Sequence, residues 1–295
     1  MPYARLEDET RIYYELTGPE DGPVVIQFGG GLFGRHNFGA VNDGFREAGF
    51  RLLAFDARGY GASDHPHEEF TIEGWARDGA GLLDAVGLDR VLVHGTSMGG
   101  MIAIAFTALY PERTIAACAD VAFAKPDVYR RTLFRVWRRM AETMPWDDFS
   151  DHVTTQAVGA KFLESEEGKD TFQLVRTVIG WNDPYTVRQA CIAMENMDLA
   201  PLVPLIERPL VMTNGTYDIL CPPELAVRPG SAPDGGDEPA DPDARVPGHR
   251  PRRPARVPGR RRRDRRRLLP GGTRRGLSSE TLSEPASEPV SEKVA

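Results

Sequence analysis

The first half of the chain alternates short apolar runs with longer amphipathic stretches. Apolar runs of about 4 to 8 residues are typical of buried strands, and apolar positions three or four residues apart are typical of helices. Alternating strands and helices predict an α/β fold with a mostly parallel sheet flanked by helices. We predict strands at residues 11–16, 24–28, 51–55, 90–94, 115–121 and 210–214, and helices near 38–48, at 72–86 and from 101 to 110.

The alternation stops between residues 123 and 200, where amphipathic helical segments follow one another. Trp137, Trp146 and Trp181 lie among these segments. A long helical insertion into a series of strands and helices is typical of a lid, which keeps water away from reacting groups. We therefore predict a core built from residues 1–122 and 201–227, with residues 123–200 as an inserted helical lid.

The composition changes near residue 228. Residues 228–295 contain no aromatic residue, isoleucine, methionine or cysteine, yet they hold 11 of the 24 prolines. Positions 260–267 are all arginine except for one aspartate. Such a segment cannot bury enough apolar surface to offset its chain entropy. We expect residues 228–295 to form a disordered tail rich in arginine and proline.

Composition and charge limit the classes of function. Hydrophobic residues make up 41% of the 295 residues, which is enough for a substantial core. The formal net charge of −7 divides into −13 over residues 1–227 and +6 over the rest, so we expect no nucleic-acid partner for the body. The three cysteines are scattered, which suits a reducing compartment. We find neither a signal-peptide pattern nor an apolar run long enough for a membrane span, and expect a cytoplasmic protein.

Residues 95–99 are Gly-Thr-Ser-Met-Gly and carry the strongest chemical signal in the chain. They follow a predicted strand and precede a predicted helix. Small residues on both sides of Ser97 allow a tight, strained turn that presents its hydroxyl. Backbone N–H groups at the start of the helix can then stabilise an oxyanion. The pattern indicates that Ser97 is a nucleophile, and an ordinary glycine-rich turn is the alternative.

A nucleophilic serine needs a base to accept its proton and a carboxylate to orient that base. Asp218 follows the predicted strand at residues 210–214, at the edge where open α/β sheets place their sites. Asp120, at the end of an earlier strand, is the alternative acid. His249 lies 31 residues after Asp218 and is the candidate base. The other histidines are weaker candidates, namely His36, His65, His67, His94 and His152.

These motifs make the chain resemble the α/β-hydrolase family, in particular its esterases and lactonases. The resemblance covers about residues 10–227 and rests on the early strand ending in glycines, the segment 56–64, the turn around Ser97, the lid and the turn at 215–218. It implies that the backbone N–H groups of Gly30 and Met98 form an oxyanion hole. It also implies a small-molecule substrate, with ester, lactone, thioester and carbon–carbon bond hydrolysis left open. It implies no metal and no organic cofactor.

The surroundings of His249 do not resemble a folded sheet edge, and the sequence predicts no final strand and helix after residues 210–214. We therefore consider a shift of reading frame near Arg228. If residues 248–254 are encoded by GGG CAT CGG CCA CGC CGC CCG, starting one base later yields Gly-Ile-Gly-His-Ala-Ala. That segment is similar to the family's histidine loop. On this hypothesis His249 is a coincidence, and the chain as printed is weakly active and poorly stable.

Three alternatives stay open. Residues 29–34 fit the pattern G-x-G-x-x-G after a strand, and Asp56 lies 22 residues beyond Gly34, as in dinucleotide-binding oxidoreductases. That interpretation leaves Ser97 and Asp218 unexplained. The second alternative is a non-catalytic protein that binds a ligand beneath the lid. The third is salt-dependent binding of nucleic acid by the arginines of residues 260–267.

Overall fold

The computed structural model describes residues 2–227, and seven strands of one sheet lie within them. The strands are β1 (Tyr3–Arg5), β2 (Arg11–Thr17), β3 (Val24–Phe28), β4 (Arg51–Phe55), β5 (Val91–Thr96), β6 (Thr114–Asp120) and β7 (Leu210–Thr213). Their order across the sheet is β1-β2-β4-β3-β5-β6-β7. The predicted tail at residues 228–295, with its arginine run, lies outside the described residues.

The sheet is mostly parallel. From β4 through β3, β5 and β6 to β7, neighbouring strands pair in parallel, whereas β1 pairs with β2, and β2 with β4, in the antiparallel direction. This arrangement confirms the predicted α/β fold. The sequence did not predict β1, because three residues with one buried side chain are too short for a periodic pattern.

Three helices join the strands of the core, namely α1 (Gly39–Glu47), α2 (Ile72–Val86) and α3 (Met98–Leu109). α2 begins where the spacing predicts, because the Thr71 hydroxyl accepts the N–H of Gly74 at 2.9 Å. It ends at Val86 and is followed by Gly87, whose φ of 70° suits a residue without a side chain. α3 is buried from its first residue through Ala108, so it is the central helix of the core.

Five helices lie between β6 and β7, within the segment for which we predict a lid. They are α4 (Val128–Thr143), α5 (Trp146–Ala157), α6 (Ala160–Leu163), α7 (Glu166–Gly180) and α8 (Pro184–Asn196). Side chains of Asp127, Ser165 and Asp183 cap the starts of α4, α7 and α8. Within residues 2–227, no helix has both the length and the apolar character needed to cross a membrane.

Core packing brings the carboxyl ends of β3 and β5 beside the start of α3. Phe28 at the end of β3 packs against Phe106 of α3, with ring centroids 5.6 Å apart. Phe28 pairs in register with Gly95 of β5. The glycine-rich loop after β3 and the turn after β5 therefore leave the sheet side by side.

Candidate active site

Ser97 stands at the corner where β5 ends and α3 begins. Its backbone has φ 57° and ψ −121°, a conformation that costs a residue with a side chain about 1–3 kcal/mol. Its N–H donates to the carbonyl of Asp120 at 2.9 Å, and its own carbonyl accepts the N–H of Met101 at 3.0 Å. Strain that surrounding bonds hold in place is characteristic of functional sites.

The glycines around Ser97 are required by close contact between backbones. A Cβ on Gly95 would lie 2.0 Å from the carbonyl oxygen of Gly99, and one on Gly99 would lie 1.9 Å from that of Phe28. A Cβ on Gly100 would lie 2.7 Å from the Cβ of Ala122. The sequence pattern predicts small residues on both sides of the serine, and these close contacts are the physical reason for them.

The serine hydroxyl lies at the start of a helix. Ser97 is half-buried and precedes the first turn of α3, and its hydroxyl does not cap that helix. The N–H groups of the first turn lack intrahelical acceptors and carry the positive end of the helix dipole. They are suited to bind an oxyanion formed next to the serine.

The loop after β3 lies against the residue that follows the serine. A Cβ on Gly31 would lie 3.3 Å from the Sδ atom of Met98, so the loop touches the residue that follows the serine. Both Gly30 and Met98 are buried. The Tyr60 hydroxyl donates to the Gly31 carbonyl at 2.8 Å, and Asn182 between α7 and α8 donates to the Leu32 carbonyl at 2.8 Å. The inserted helices thus help to hold this loop against the serine turn (residues 95–100).

Asp218 lies in the loop after β7, as the sequence predicts. Its Oδ1 atom accepts the N–H groups of Leu220 at 2.8 Å and Cys221 at 2.9 Å, which fixes the carboxyl group relative to its own backbone. Asn214 ties the loop to the end of β6 by donating to the carbonyl of Ala122 at 3.3 Å. Because Ala122 packs against Gly100, Asp218 belongs to a loop anchored on the serine turn.

Arg130 of α4 anchors the same loop from the other side. Its guanidinium donates to the carbonyl of Ile219 at 2.8 Å and to that of Leu220 at 3.1 Å. Asp127 caps α4 and also binds Arg130 at 2.8 Å. The first turn of α4 therefore supports the position of Asp218.

Asp120, the alternative acid, is already engaged. Its Oδ2 atom lies 2.8 Å from Nε2 of His94, and its Oδ1 atom accepts hydrogen bonds from the Thr213 hydroxyl and, at 3.3 Å, from the Cys118 thiol. Burial raises the pKa of Asp120, but the hydrogen bonds from His94 and Thr213 outweigh burial and hold that pKa below its usual value of 3.8. The pairing of His94 with Asp120 is not predicted from the sequence.

The remaining histidines of the described residues have other neighbours. His36 packs edge-on against Trp181 at 5.3 Å, and burial together with the charge of Arg35 lowers its pKa. His65 lies 3.1 Å from the carbonyl of Gly61, His67 stacks on Tyr185 at 4.4 Å, and His152 is half-buried on α5. The candidate base His249 lies outside the described residues.

Asp56 does not have the surroundings of a ribose-binding acid. Its side chain is 1% exposed and forms an ion pair with Arg35. The same carboxylate accepts the N–H of Ala62 at 2.9 Å. The glycine-rich loop at residues 29–34 leads into a short 3-10 turn, Gly34–Phe38, and not directly into an α-helix. The dinucleotide alternative therefore loses the two features on which it rested.

A cleft of about 650 Å³ lies elsewhere on the core. Its lining includes Asp8, Arg58, Glu68, Trp75 and Asp78, and none of the predicted site residues. Arg58 pairs there with Asp8, Glu68 and Asp78 at 2.6 to 2.8 Å. The cleft is thus crossed by internal ion pairs. Within residues 2–227, no group of three or more histidine, cysteine or acidic residues is arranged to hold a metal ion.

Comparison with known proteins identifies the family of the chain. The family model for the alpha/beta hydrolase fold matches residues 22–232. The chain belongs to the α/β-hydrolase family. A relative in Bacillus subtilis, AB hydrolase superfamily protein YisY, is 24% identical over 76% of this chain and 84% of that protein. A 2-hydroxy-6-oxononadienedioate/2-hydroxy-6-oxononatrienedioate hydrolase of Burkholderia vietnamiensis is 38% identical, but over 36% of this chain and 38% of its own length.

Solved structures of α/β-hydrolases superpose on most of the chain. An enol-lactonase from Burkholderia xenovorans has a TM-score of 0.70 at 24% identity, covering 76% of this chain and 85% of that one. A thermophilic esterase from Thermogutta terrifontis has a TM-score of 0.67 at 23% identity, covering 76% and 82%. At these identities the likeness concerns the fold alone.

Proposed function

We propose that this α/β-hydrolase is a serine hydrolase that acts on a small carboxylic ester, a lactone or a related acyl or carbon–carbon bond substrate. The observation that carries the proposal is the backbone of Ser97, held at positive φ beside two converging segments that contain Gly30 and Met98. The family membership and the hydrolase activities in the names of relatives support it.

The geometry supports an acyl-enzyme mechanism. The Ser97 oxygen attacks the substrate carbonyl carbon, and the carbonyl oxygen becomes an oxyanion that accepts hydrogen bonds from the N–H groups of Met98 and Gly30. The serine proton passes to a base, which later protonates the leaving group. Water then attacks the acyl-enzyme and releases the acid. Asp218 is the residue proposed to orient the base.

Asp218 fits the orienting role better than Asp120. Among residues 2–227, the hydrogen bonds of Asp218 engage Oδ1 and leave Oδ2 able to accept an N–H from a base. Both oxygens of Asp120 are engaged, by His94 on one side and by Thr213 and Cys118 on the other. A carboxylate that orients a base must have an oxygen available for it.

The candidate base His249 lies outside the described residues. His249 is the proposed base if a residue of this chain serves, and the frame-shift hypothesis makes it a coincidence. Loss of the base leaves the oxyanion hole and substrate binding, which sustain only a small part of the catalysis. We therefore propose a low esterase activity for this chain.

The test is covalent labelling of Ser97 with a fluorophosphonate probe, combined with hydrolysis of a panel of activated esters and lactones. We expect slow labelling that maps to Ser97 by mass spectrometry and disappears in Ser97→Ala. The control variant Ser150→Ala removes a buried hydroxyl of α5 and should leave labelling in place. Hydrolysis that survives in Ser97→Ala would contradict the assigned nucleophile.

A further inference from the structure

The glycine-rich loop after β3 has little conformational preference of its own. Residues 29–31 are three glycines in a row, and glycine adopts positive and negative φ with similar ease. An oxyanion hole requires N–H groups that are held in place before the reaction, because turning them during the reaction costs free energy. The proposed donor Gly30 therefore needs restraints from outside the loop.

Two successive carbonyl groups of this loop receive such restraints. The Gly31 carbonyl accepts the Tyr60 hydroxyl, and the Leu32 carbonyl accepts the Asn182 amide, each at 2.8 Å. Because a trans peptide unit is planar and its C=O and N–H point in opposite directions, each bond also fixes the N–H of the same unit. Among the residues that the structure describes, none accepts a hydrogen bond from the N–H of Gly30 or Gly31. These two N–H groups are thus available to an oxyanion.

Tyr60 holds the loop from the core. Its side chain is 2% exposed, and its ring packs against Trp75 with centroids 6.3 Å apart. Its N–H donates to the carbonyl of Ala57 at 2.8 Å, so ring and backbone are both fixed. Tyr60 follows β4 and Ser97 follows β5, and β3 lies between these two strands. The bond from Tyr60 therefore directs the Gly31 carbonyl towards the β4 side of the loop, away from the serine turn.

Asn182 holds the loop from the inserted helices. It lies between α7 and α8, and its amide also donates to the carbonyls of Val178 and Ile179, at 3.2 and 3.1 Å. These bonds fix Asn182 to the end of α7. Leu32 and Asn182 are 150 positions apart in the chain. The conformation of the loop thus depends on the inserted helices as well as on the core.

We propose that Tyr60 and Asn182 are positioning residues of the oxyanion hole. They act through two carbonyl groups of the loop, which they hold in one orientation, and so keep the N–H of Gly30 directed for an oxyanion. A loop carbonyl that turned towards Ser97 would repel the developing negative charge, and the two bonds prevent that rotation. This inference rests on the proposed function, because it requires an oxyanion to form beside Ser97.

The first test measures the kinetics with which a fluorophosphonate probe labels Ser97. The serine oxygen bonds to phosphorus, fluoride leaves, the serine proton passes to a base or to water, and the phosphoryl oxygen occupies the oxyanion hole. We expect Tyr60→Phe to lower the maximal labelling rate constant roughly tenfold at unchanged probe affinity, less than the loss of about 10²–10³-fold when a direct donor is removed. The matched control is Tyr185→Phe, because the Tyr185 hydroxyl also donates to a backbone carbonyl, that of Glu68, at 3.0 Å. It should be labelled like the wild type.

The same experiment tests the second positioning residue. Asn182→Ala should show a similar loss, whereas Asn196→Ala, at an exposed position of α8, should not. A wild type that is not labelled at Ser97 would refute the proposed function and this inference together. A wild type that is labelled at Ser97, with Tyr60→Phe or Asn182→Ala labelled just as fast, would overturn this inference alone.

The second test follows the loop itself and does not depend on enzymatic activity. Hydrogen exchange in the peptide that spans residues 28–34 should be roughly tenfold faster in Tyr60→Phe and in Asn182→Ala, because opening of the loop no longer breaks the deleted bond. Peptides from β6 should keep the wild-type rate, which shows that the variants are folded. The two residues lie on different elements, so if one variant fails to fold the other remains as the test. An unchanged exchange rate at residues 28–34 would overturn the inference.

Discussion

At the scale of single residues, the serine turn leaves no room for a side chain at Gly99. A Cβ there would lie 1.9 Å from the carbonyl oxygen of Phe28 and 2.7 Å from that of Gly29. Backbone atoms cannot rotate out of the way, so Gly99→Ala should lower the free energy of unfolding by about 1–3 kcal/mol. Gly44 in α1 is the control, because a Cβ there meets nothing within 4 Å, and Gly44→Ala should stabilise by about 0.4–1 kcal/mol. Urea unfolding measures both, and a stable Gly99→Ala protein would contradict the close contact.

The carboxyl group of Asp120 predicts a pH dependence of stability. Its pKa is lower in the folded protein than its usual value of 3.8, so its contribution is complete above that value and is lost as the pH falls through the folded pKa. Asp120→Asn should therefore be less stable than the wild type at neutral pH, and the difference should shrink in strong acid. Unfolding midpoints measured across this range test the prediction, and a difference that is constant with pH would contradict it.

The sequence predicts the backbone chemistry of the site better than its side-chain pairs. The turn around Ser97 is recognisable because glycines and a serine at fixed spacing have one steric explanation. The pairing of His94 with Asp120 depends on the register between β5 and β6, in which His94 lies opposite Cys118. No local sequence pattern encodes that register. The contact between these two residues, which are 26 positions apart, could therefore not be predicted from the sequence.

At the scale of elements, the first turn of α4 anchors the loop after β7. Arg130 holds the carbonyls of Ile219 and Leu220, next to the proposed acid Asp218. Arg130→Gln should lower the free energy of unfolding by about 1–3 kcal/mol, because the two carbonyls lose a charged donor. The control is Arg139→Gln, at an exposed position of the same helix, which should keep the wild-type stability. Urea unfolding of both variants tests this, and equal stabilities for the two would contradict the anchoring role of Arg130.

The elements themselves were predicted most accurately where local signals are strong. α2 begins and ends at the predicted residues because a threonine cap and a terminal glycine bound it. α3 begins at Met98, three residues before the predicted Met101, because the strained Ser97 can stand directly before a helix. That start depends on contacts with the loop after β3, which are distant in sequence and leave no local pattern.

At the scale of the whole molecule, the frame-shift hypothesis accounts for the unassigned base. It predicts that the gene around codon 228, read one base later, encodes an apolar strand, a Gly-His loop and an alanine- and valine-rich helix. Protein made from that frame should hydrolyse esters roughly 10³-fold or more faster than the chain as printed, because it regains a base.

Ester hydrolysis by the two proteins, measured side by side, tests this effect. Replacement of the new histidine by alanine should abolish the gain in rate, while His249→Ala in the printed chain should leave its residual rate unchanged. A gene without the alternative frame would contradict the hypothesis. A residual rate that His249→Ala abolishes would do so as well, because His249 would then be the working base.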